Sequence, residues 1–356
     1  MNTYLVSIII VNYNGYHLLK NCLQSIFKNS YSNYELIIAD NGSSDNSIPK
    51  IKKDFKDKLS RIKILDLKKN LGPALARNKA FKISKGEIIA FLDNDTQVTK
   101  DWIQQALPFF QKNSKIGIIQ SKLLLMNQKD KIDYVGEYLG SLGFLKSVAN
   151  YGEVDNGQYN HIKSILAAKS AGMFIRRLAF IDAGMFDPDY FIFMEETDLG
   201  WRTWLMGYQN IFVPKSIVYH KFSSTKDIVD PDFNNFLIRF HGTKNYIQTL
   251  IKNLSLKYLI KILPIHILLW FSLATFLLIT GKFKSAKNIY KGIGWNFIHL
   301  IQTLQKRKKI QFHRRVSDNY LFKQQHLLSH TSLNYYTKKF FSTQKQITTP
   351  ENNTHH

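Results

Sequence analysis

Glu87-Ile88-Ile89-Ala90-Phe91-Leu92-Asp93-Asn94-Asp95 is the stretch that decides the fold. An unbroken apolar run of strand length ends abruptly in two carboxylates spaced i, i+2. Apolar residues at every position suit a parallel strand buried on both faces. The same pattern lies upstream. Residues 5–11 close on Asn12-Tyr13-Asn14-Gly15, residues 35–39 on Asp40-Asn41-Gly42-Ser43-Ser44-Asp45, and residues 62–67 form a third run. Residues 17–27, 48–55 and 74–84 carry helical spacing between them, the last opened by Gly72. Repeated strand–helix units predict a doubly wound, mostly parallel, Rossmann-like α/β sheet. Such sheets bind ligands beyond the carboxyl ends of their strands, where these acidic and Asn/Gly-rich clusters fall.

The whole chain has 356 residues, 44% of them hydrophobic, enough for one such domain plus an appendage. Its single cysteine, Cys22, excludes an internal disulfide framework. The first four residues carry no basic group, so residues 5–11 read as a first strand and not a secretion signal. The net charge of +23 is unevenly spread: from Lys244 onward 18 Lys and Arg face only Asp318 and Glu351. That basic half points to an anionic partner, nucleic acid or an acidic lipid surface.

Asp93 and Asp95 can offer oxygen ligands to one hard cation, Mg²⁺ or Mn²⁺, although an isolated Asp-Asn-Asp also reads as a turn. Asp40 can accept from a nucleobase N–H or ribose hydroxyls, or can simply close an Asx turn before a helix capped by Asp45 or Ser47. Asn70-Leu71-Gly72 begins a helix whose glycine permits close approach, with Arg77 one turn in, within reach of phosphates. In Phe191-Ile192-Phe193-Met194-Glu195-Glu196-Thr197-Asp198, three carboxylates crowd together among apolar neighbours. Desolvation and like-charge repulsion would raise at least one pKa, which suits a general base, while a solvated helix start is the plainer alternative. His220, after the short run 216–219, is a candidate metal ligand.

Taken in order, these motifs resemble the family 2-type inverting glycosyltransferases of GT-A fold, closest in style to rhamnosyl- and galactofuranosyltransferase-like members. The carriers are Ile8-Ile9-Ile10-Val11-Asn12, Asp40-Asn41-Gly42-Ser43, Asn70-Leu71-Gly72, Asp93-Asn94-Asp95, Ala171-Gly172-Met173-Phe174-Ile175-Arg176-Arg177, Glu195-Glu196-Thr197-Asp198 and Val218-Tyr219-His220, spread over residues 5–225. The resemblance implies a UDP- or dTDP-sugar donor held by Asn12, Asp40, Asn70, Gly72, Arg77 and Asp93. It implies a divalent metal, Mn²⁺ or Mg²⁺, on Asp93, Asp95 and His220, and catalytic carboxylates among Glu196, Glu195 and Asp198. Glu196 matches the base. The family usually has Glu-Asp or Asp-Asp where this chain has Glu195-Glu196. Residues 172–177 are similar to the acceptor-lining segment, and Trp201 is a candidate for sugar stacking.

Residues 262–280 contain no formal charge and are long enough to span a bilayer. Lysines flank both ends, which disfavours a single crossing and favours helices that dip in and return, or lie in the interface, with residues 289–304 as partner. The expected organisation is a catalytic domain (1–228), a helical membrane-associated region (229–305) and a basic, loosely ordered tail (306–356). The motifs end near His220, so a chain ending near Asp230 is expected to be soluble and to hydrolyse donor. The leading expectation is an enzyme at the cytoplasmic face of the membrane, with a lipid-linked or glycan acceptor and anionic lipids as partners. A catalytically silent carbohydrate- or nucleotide-binding protein of the same fold is the alternative. Nucleic acid is disfavoured, because the basic region lacks a nucleic-acid module and follows an apolar run.

Overall fold

β-Branched and apolar residues at consecutive positions build the sheet centre. In the computed structural model, which describes residues 4–221, 235–325 and 327–329, they form β1 (Val6–Asn12), β2 (Tyr34–Asp40), β3 (Ile62–Asp66) and β4 (Ile88–Asp93). Ile8, Ile10, Leu36, Ile38 and Leu92 face one core, while Ile9, Ile37, Ala39, Ile89 and Phe91 face the other. Helices α1 (Tyr16–Phe27) and α2 (Ser47–Asp54) cover the first side and α3 (Pro73–Lys82) the second. β1 pairs parallel with both β2 and β4. The chain therefore leaves β1 toward β2 and β3, then returns to β1's other side for β4, which makes the β1/β4 crevice the switch point.

The sheet continues past β4 as mixed structure. After β5 (Thr96–Val98) and α4 (Trp102–Lys112) come β6 (Ile116–Leu125), β7 (Gln128–Tyr134), β8 (Glu137–Gly140), β9 (Leu145–Ser147) and β10 (Lys163–Ser164). β11 (Met173–Arg176) lies antiparallel between β4 and β6, and β12 (Gln209–His220) runs parallel to β6. Helices α5 (Arg177–Asp182) and α6 (Glu195–Leu205) separate β11 from β12. The expected doubly wound, mostly parallel α/β sheet is present.

Four further helices follow: α7 (Gly242–Asn253), α8 (Leu256–Ile279), α9 (Phe283–Ile298) and α10 (Leu300–His313). Two expectations change here. The helix anticipated at 289–304 is divided at His299, and α10 runs through the anticipated boundary at 305/306. The physical reason is Lys306, whose Nζ reaches Asp187 Oδ1 at 2.5 Å and Asp189 Oδ2 at 2.6 Å. The anticipated tail from 330 on, and the boundary at 228/229, lie outside the described residues.

These helices are also not a separable appendage. Leu250, Leu254, Ile262, Leu321 and Phe322 share one core with Trp201, Trp204 and Leu205 of α6. Trp201, expected to stack on sugar, is fully enclosed there. Lys252, itself buried, bonds Asp187 Oδ2 at 2.6 Å and Asp198 Oδ1 at 2.9 Å. Burial by itself would raise the Asp187 carboxyl. Lys252 and then Lys306 outweigh it and hold the group well below the ordinary carboxylate range. Its stabilising contribution is therefore present above about pH 4 and is lost as pH falls further.

Truncation after residue 230 strips Asp187 and Asp198 of their lysines and bares the α6 core. The truncated chain should be insoluble or unfolded by circular dichroism, against the expectation from the motifs alone. Lys252→Met should cost about 3–5 kcal/mol in urea unfolding at neutral pH. The loss should shrink toward pH 3, where Asp187 is protonated in the unfolded chain.

Candidate active site

The four parallel strands end in register, so Asn12 faces Asp40, and Asp93 follows Val11 across the crevice. Asn12 Nδ2 donates to Asp40 Oδ1 at 3.3 Å, and its Oδ1 accepts from Asn94 Nδ2 at 2.9 Å. Ser43 closes the Asp40 loop, its hydroxyl donating to Asp40 Oδ1 at 2.6 Å. Asn70 Oδ1 accepts from Asn41 Nδ2 and from the Gly72 N–H, both at 2.9 Å. Gly72 has φ of 77° and ψ of 157°, a region glycine alone occupies readily, and an added Cβ would stand 2.6 Å from the Phe191 carbonyl oxygen. The N-cap of α2 is Asn46 and not Asp45 or Ser47; Asp45, one residue earlier, accepts from the backbone N–H of both Ser47 (3.0 Å) and Tyr16 (3.2 Å) and so ties the helix start to α1.

His220 is brought to this end by backbone pairing. β12 pairs antiparallel with β5, setting His220 opposite Thr96, and the Lys221 N–H bonds the Asp95 carbonyl at 2.9 Å. The ligand atoms of Asp93, Asp95 and His220 all fall within 4.8 Å of one another. His220 Nε2 is 3.5 Å from Asp95 Oδ1, and Nδ1 is 2.7 Å from Asp133 Oδ2. Burial disfavours the charged ring, but the bonds to Asp133 and then Asp95 outweigh it and push the His220 pKa up to about 10. Burial also raises the Asp93 carboxyl; Arg77 pulls it back, and the adjacent charge of Asp95 adds to the rise. Two hard carboxylates and one imidazole, with a third carboxylate fixing the ring from behind, are a donor set suited to Mn²⁺ or Mg²⁺.

The two glutamates differ sharply in setting. Glu195 is buried and accepts from Arg77 Nη1 at 3.4 Å. Burial, and then the charge of Glu196, push it up to about 8, with Arg77 opposing. Glu196 is half-buried, and its Oε1 accepts from the Ser170 N–H at 2.7 Å and from the Ser170 hydroxyl. The same hydroxyl lies 3.4 Å from Asp93 Oδ1, so Ser170 ties Glu196 to the metal-ligand cluster.

Three expected roles do not fit these placements. Asp198 is fully enclosed, its oxygens taken by Arg202 (2.7 Å), Lys252 (2.9 Å) and Asn253 (3.0 Å). It braces the helix that carries Glu196 from the side away from Asp93 and Asp95. Arg77 is 4% exposed, with Nη2 at 2.7 Å from Asp93 Oδ1 and Nη1 toward Glu195, so its guanidinium is engaged by carboxylates. Residues 173–176 run antiparallel to β4, so the segment leads away from the site; only Ser170-Ala171-Gly172 lies at it, and Arg177 bonds Gly86 and Ser84 at the opposite end. Sequence reasoning missed Ser170 and Asp133. A lone buried acid in Ile132-Asp133-Tyr134 was the available signal for the second.

The profile described as glycosyl transferase family 2 matches residues 7–130, and that of glycosyl transferase family group 2 matches residues 88–284, more than half the chain. The chain belongs to the family 2 glycosyltransferases. It is similar to the UDP-Glc:alpha-D-GlcNAc-diphosphoundecaprenol beta-1,3-glucosyltransferase WfgD of Escherichia coli, 40% identical over 114 residues, which are 32% of this chain and 44% of that protein. The fold is that of S. aureus TarS 1-349 in complex with UDP-GlcNAc (TM-score 0.54, 16% identity, 86% of each chain covered). It is also that of the mannosyltransferase PcManGT from Pyrobaculum calidifontis in complex with GDP-Man and Mn²⁺ (TM-score 0.53, 13% identity, 88% of this chain and 86% of that one). The chain spans about half the length of the curated relatives it matches.

In this family 2 chain the Asn70–Gly72 turn is held by backbone geometry that only glycine tolerates. Gly72→Ala should lower stability by about 1–3 kcal/mol. The measurement is thermal melting, and an unchanged melting temperature would remove the close approach to Phe191 as a constraint.

Proposed function

We propose that the protein transfers a sugar from a nucleotide-diphosphate donor to a hydroxyl of a lipid-linked or polysaccharide acceptor, with inversion at the anomeric carbon. The observation that carries this reading is the convergence of Asp93, Asp95 and His220 beside Glu196 at the β1/β4 switch point. Asp40, Asn12 and the Asn70–Gly72 turn supply polar groups for the nucleoside at the ends of β1 and β2. UDP-linked sugars suit this reading, and dTDP-sugars remain within it.

Asp93, Asp95 and His220 would hold the divalent cation, which supplies positive charge to the departing diphosphate. Asp133 keeps the His220 ring oriented so that Nε2 faces the carboxylates. Glu196 takes the proton as the acceptor O–H bond breaks. The acceptor oxygen then bonds to the anomeric carbon while the bond to the diphosphate oxygen breaks with its electron pair leaving on the nucleoside diphosphate. Ser170, donating twice to Oε1, aims the carboxylate. Arg77 fixes Asp93 against Glu195, which leaves Glu196 as the accessible member of the pair. With a lipid-linked acceptor the enzyme would work at the cytoplasmic face of a membrane, in contact with anionic lipids.

Glu196→Gln keeps shape but cannot take a proton. Transfer should fall about 10²–10⁴-fold while donor affinity, measured by calorimetry, stays level. A comparable loss from Glu195→Gln with Glu196→Gln near normal would reverse the assignment. Asp95→Ala should abolish Mn²⁺-dependent donor hydrolysis. Full activity of that variant in EDTA would end the metal-dependent reading. Because His220 must lose a proton to ligate, Mn²⁺ affinity should climb with pH below about 10, by up to roughly tenfold per unit. Asp133→Asn should weaken Mn²⁺ binding about 10–100-fold in an electron paramagnetic resonance titration.

A further inference from the structure

Helix α8 is long and apolar enough to cross a bilayer by length and composition. Yet one stripe along its whole length, Ile262, His266, Trp270, Ala274 and Leu277, is buried at spacings of four and three. The partners of that stripe belong to the body of the protein. His266 Nδ1 lies 3.0 Å from the Leu142 carbonyl oxygen, and Nε2 accepts from Trp270 Nε1 at 3.0 Å. The ring of Phe144 sits 4.2 Å from that of His266, and a Cβ on Gly143 would come within 2.9 Å of His266 and Ile262. The middle of α8 is thus bonded to the turn between β8 and β9. A crossing helix would carry that irregular turn and its polar backbone to the bilayer centre, where neither is tolerated against lipid.

The opposite face of α8 is bare. Ile260, Leu268 and Ile279 are 65%, 63% and 80% exposed, with Ile265, Phe271 and Phe276 exposed between them. From Ile260 to Ile279 this face extends about 30 Å along the axis. Lys257 and Lys261 precede the uncharged run, Lys282, Lys284, Lys287 and Lys291 follow it, and no Asp or Glu occurs between Asn234 and Ser317. A second copy meeting this face across a two-fold axis would set one lysine-flanked, acid-free stretch of sequence against the same stretch of its partner. An anionic lipid surface accepts both the apolar residues and the lysines.

We propose that α8 lies flat in the membrane interface, its bare face inserted to the acyl boundary and its flanking lysines at the level of the lipid phosphates. This rests on the membrane association in the proposed function and adds its geometry: the chain docks on one leaflet through the side of α8 and does not cross there.

The test uses the full chain on phosphatidylcholine vesicles containing phosphatidylglycerol. Nitroxide labels are placed on cysteines introduced singly at Ile260, Leu268 and Ile279, Cys22 being buried, and depth is read by power saturation with oxygen and a nickel chelate. A flat helix gives three similar depths, about 5–10 Å below the headgroups. A label at Leu268 near the bilayer centre, with the two ends shallow at opposite leaflets, overturns the inference while leaving membrane association standing. In a second arm, Leu268→Glu with Ile279→Glu should lower vesicle partitioning about a hundredfold, with melting temperature and donor hydrolysis unchanged. Unchanged partitioning overturns the proposal. So does a lipid-free dimer that this variant dissociates, because the face would then belong to a second copy. If the unaltered chain fails to float, the membrane reading falls with it, while donor hydrolysis on the same preparation reports on sugar transfer separately.

Discussion

A single buried guanidinium organises the catalytic end of this molecule. Arg77 enters from α3 between the end of β4 and the start of α6, where Asp93 and Glu195 would otherwise meet as uncompensated carboxylates. Four acids, Asp93, Asp95, Glu195 and Glu196, crowd together, and such crowding in low dielectric is costly unless cations stand among them. Arg77 supplies one such charge permanently. The imidazolium of His220 supplies a second, and a divalent ion on the same ligands would replace it. Folding can therefore concentrate negative charge at this end of the sheet, because the compensation is built in or exchangeable.

The second constraint lies behind α6. The helix bearing Glu196 is anchored at Asp198 by Arg202, Lys252 and Asn253, and the preceding loop is held at Asp187 and Asp189 by Lys252 and Lys306. Removing one partner of such a pair costs far more than the pair itself contributes, so the C-terminal helices are bound to the catalytic domain through the lysines they lend to Asp187, Asp189 and Asp198. The same helices turn an apolar surface outward. The position of Glu196 and the docking of α8 thus depend on one packed unit, and both reach the site through α6 and α7.

The Asp133–His220–Asp95 chain shows how backbone pairing creates chemistry. β5 is three residues long, yet its antiparallel pairing with β12 delivers His220 to the aspartates, and β7 delivers Asp133 from the far side. Ser170, at the start of β11, bridges the acids of β4 and α6 only because β11 runs antiparallel to β4.

The grouping of Asp93, Asp95 and His220 with Glu196 was implied only by the family resemblance, whereas the alternating strands and helices, the Asn-, Gly- and acid-rich ends of β1, β2 and β4, and the basic apolar C-terminal helices could be read from the residues themselves. Each of the latter is a local pattern, since burial on both faces of a strand, a turn after it, or a run without charge leaves its mark within ten or twenty residues. Tertiary structure alone decided which carboxylate stays accessible, that Arg77 pairs with acids, that Asp198 and Trp201 are enclosed, that Ser170 and Asp133 belong to the site, and that α8 is pinned at its midpoint. Those outcomes depend on partners distant in the chain, such as Lys252 for Asp198 and Leu142 for His266. A side chain's burial and charge compensation are set by what packs against it, and no local spacing in the sequence records that.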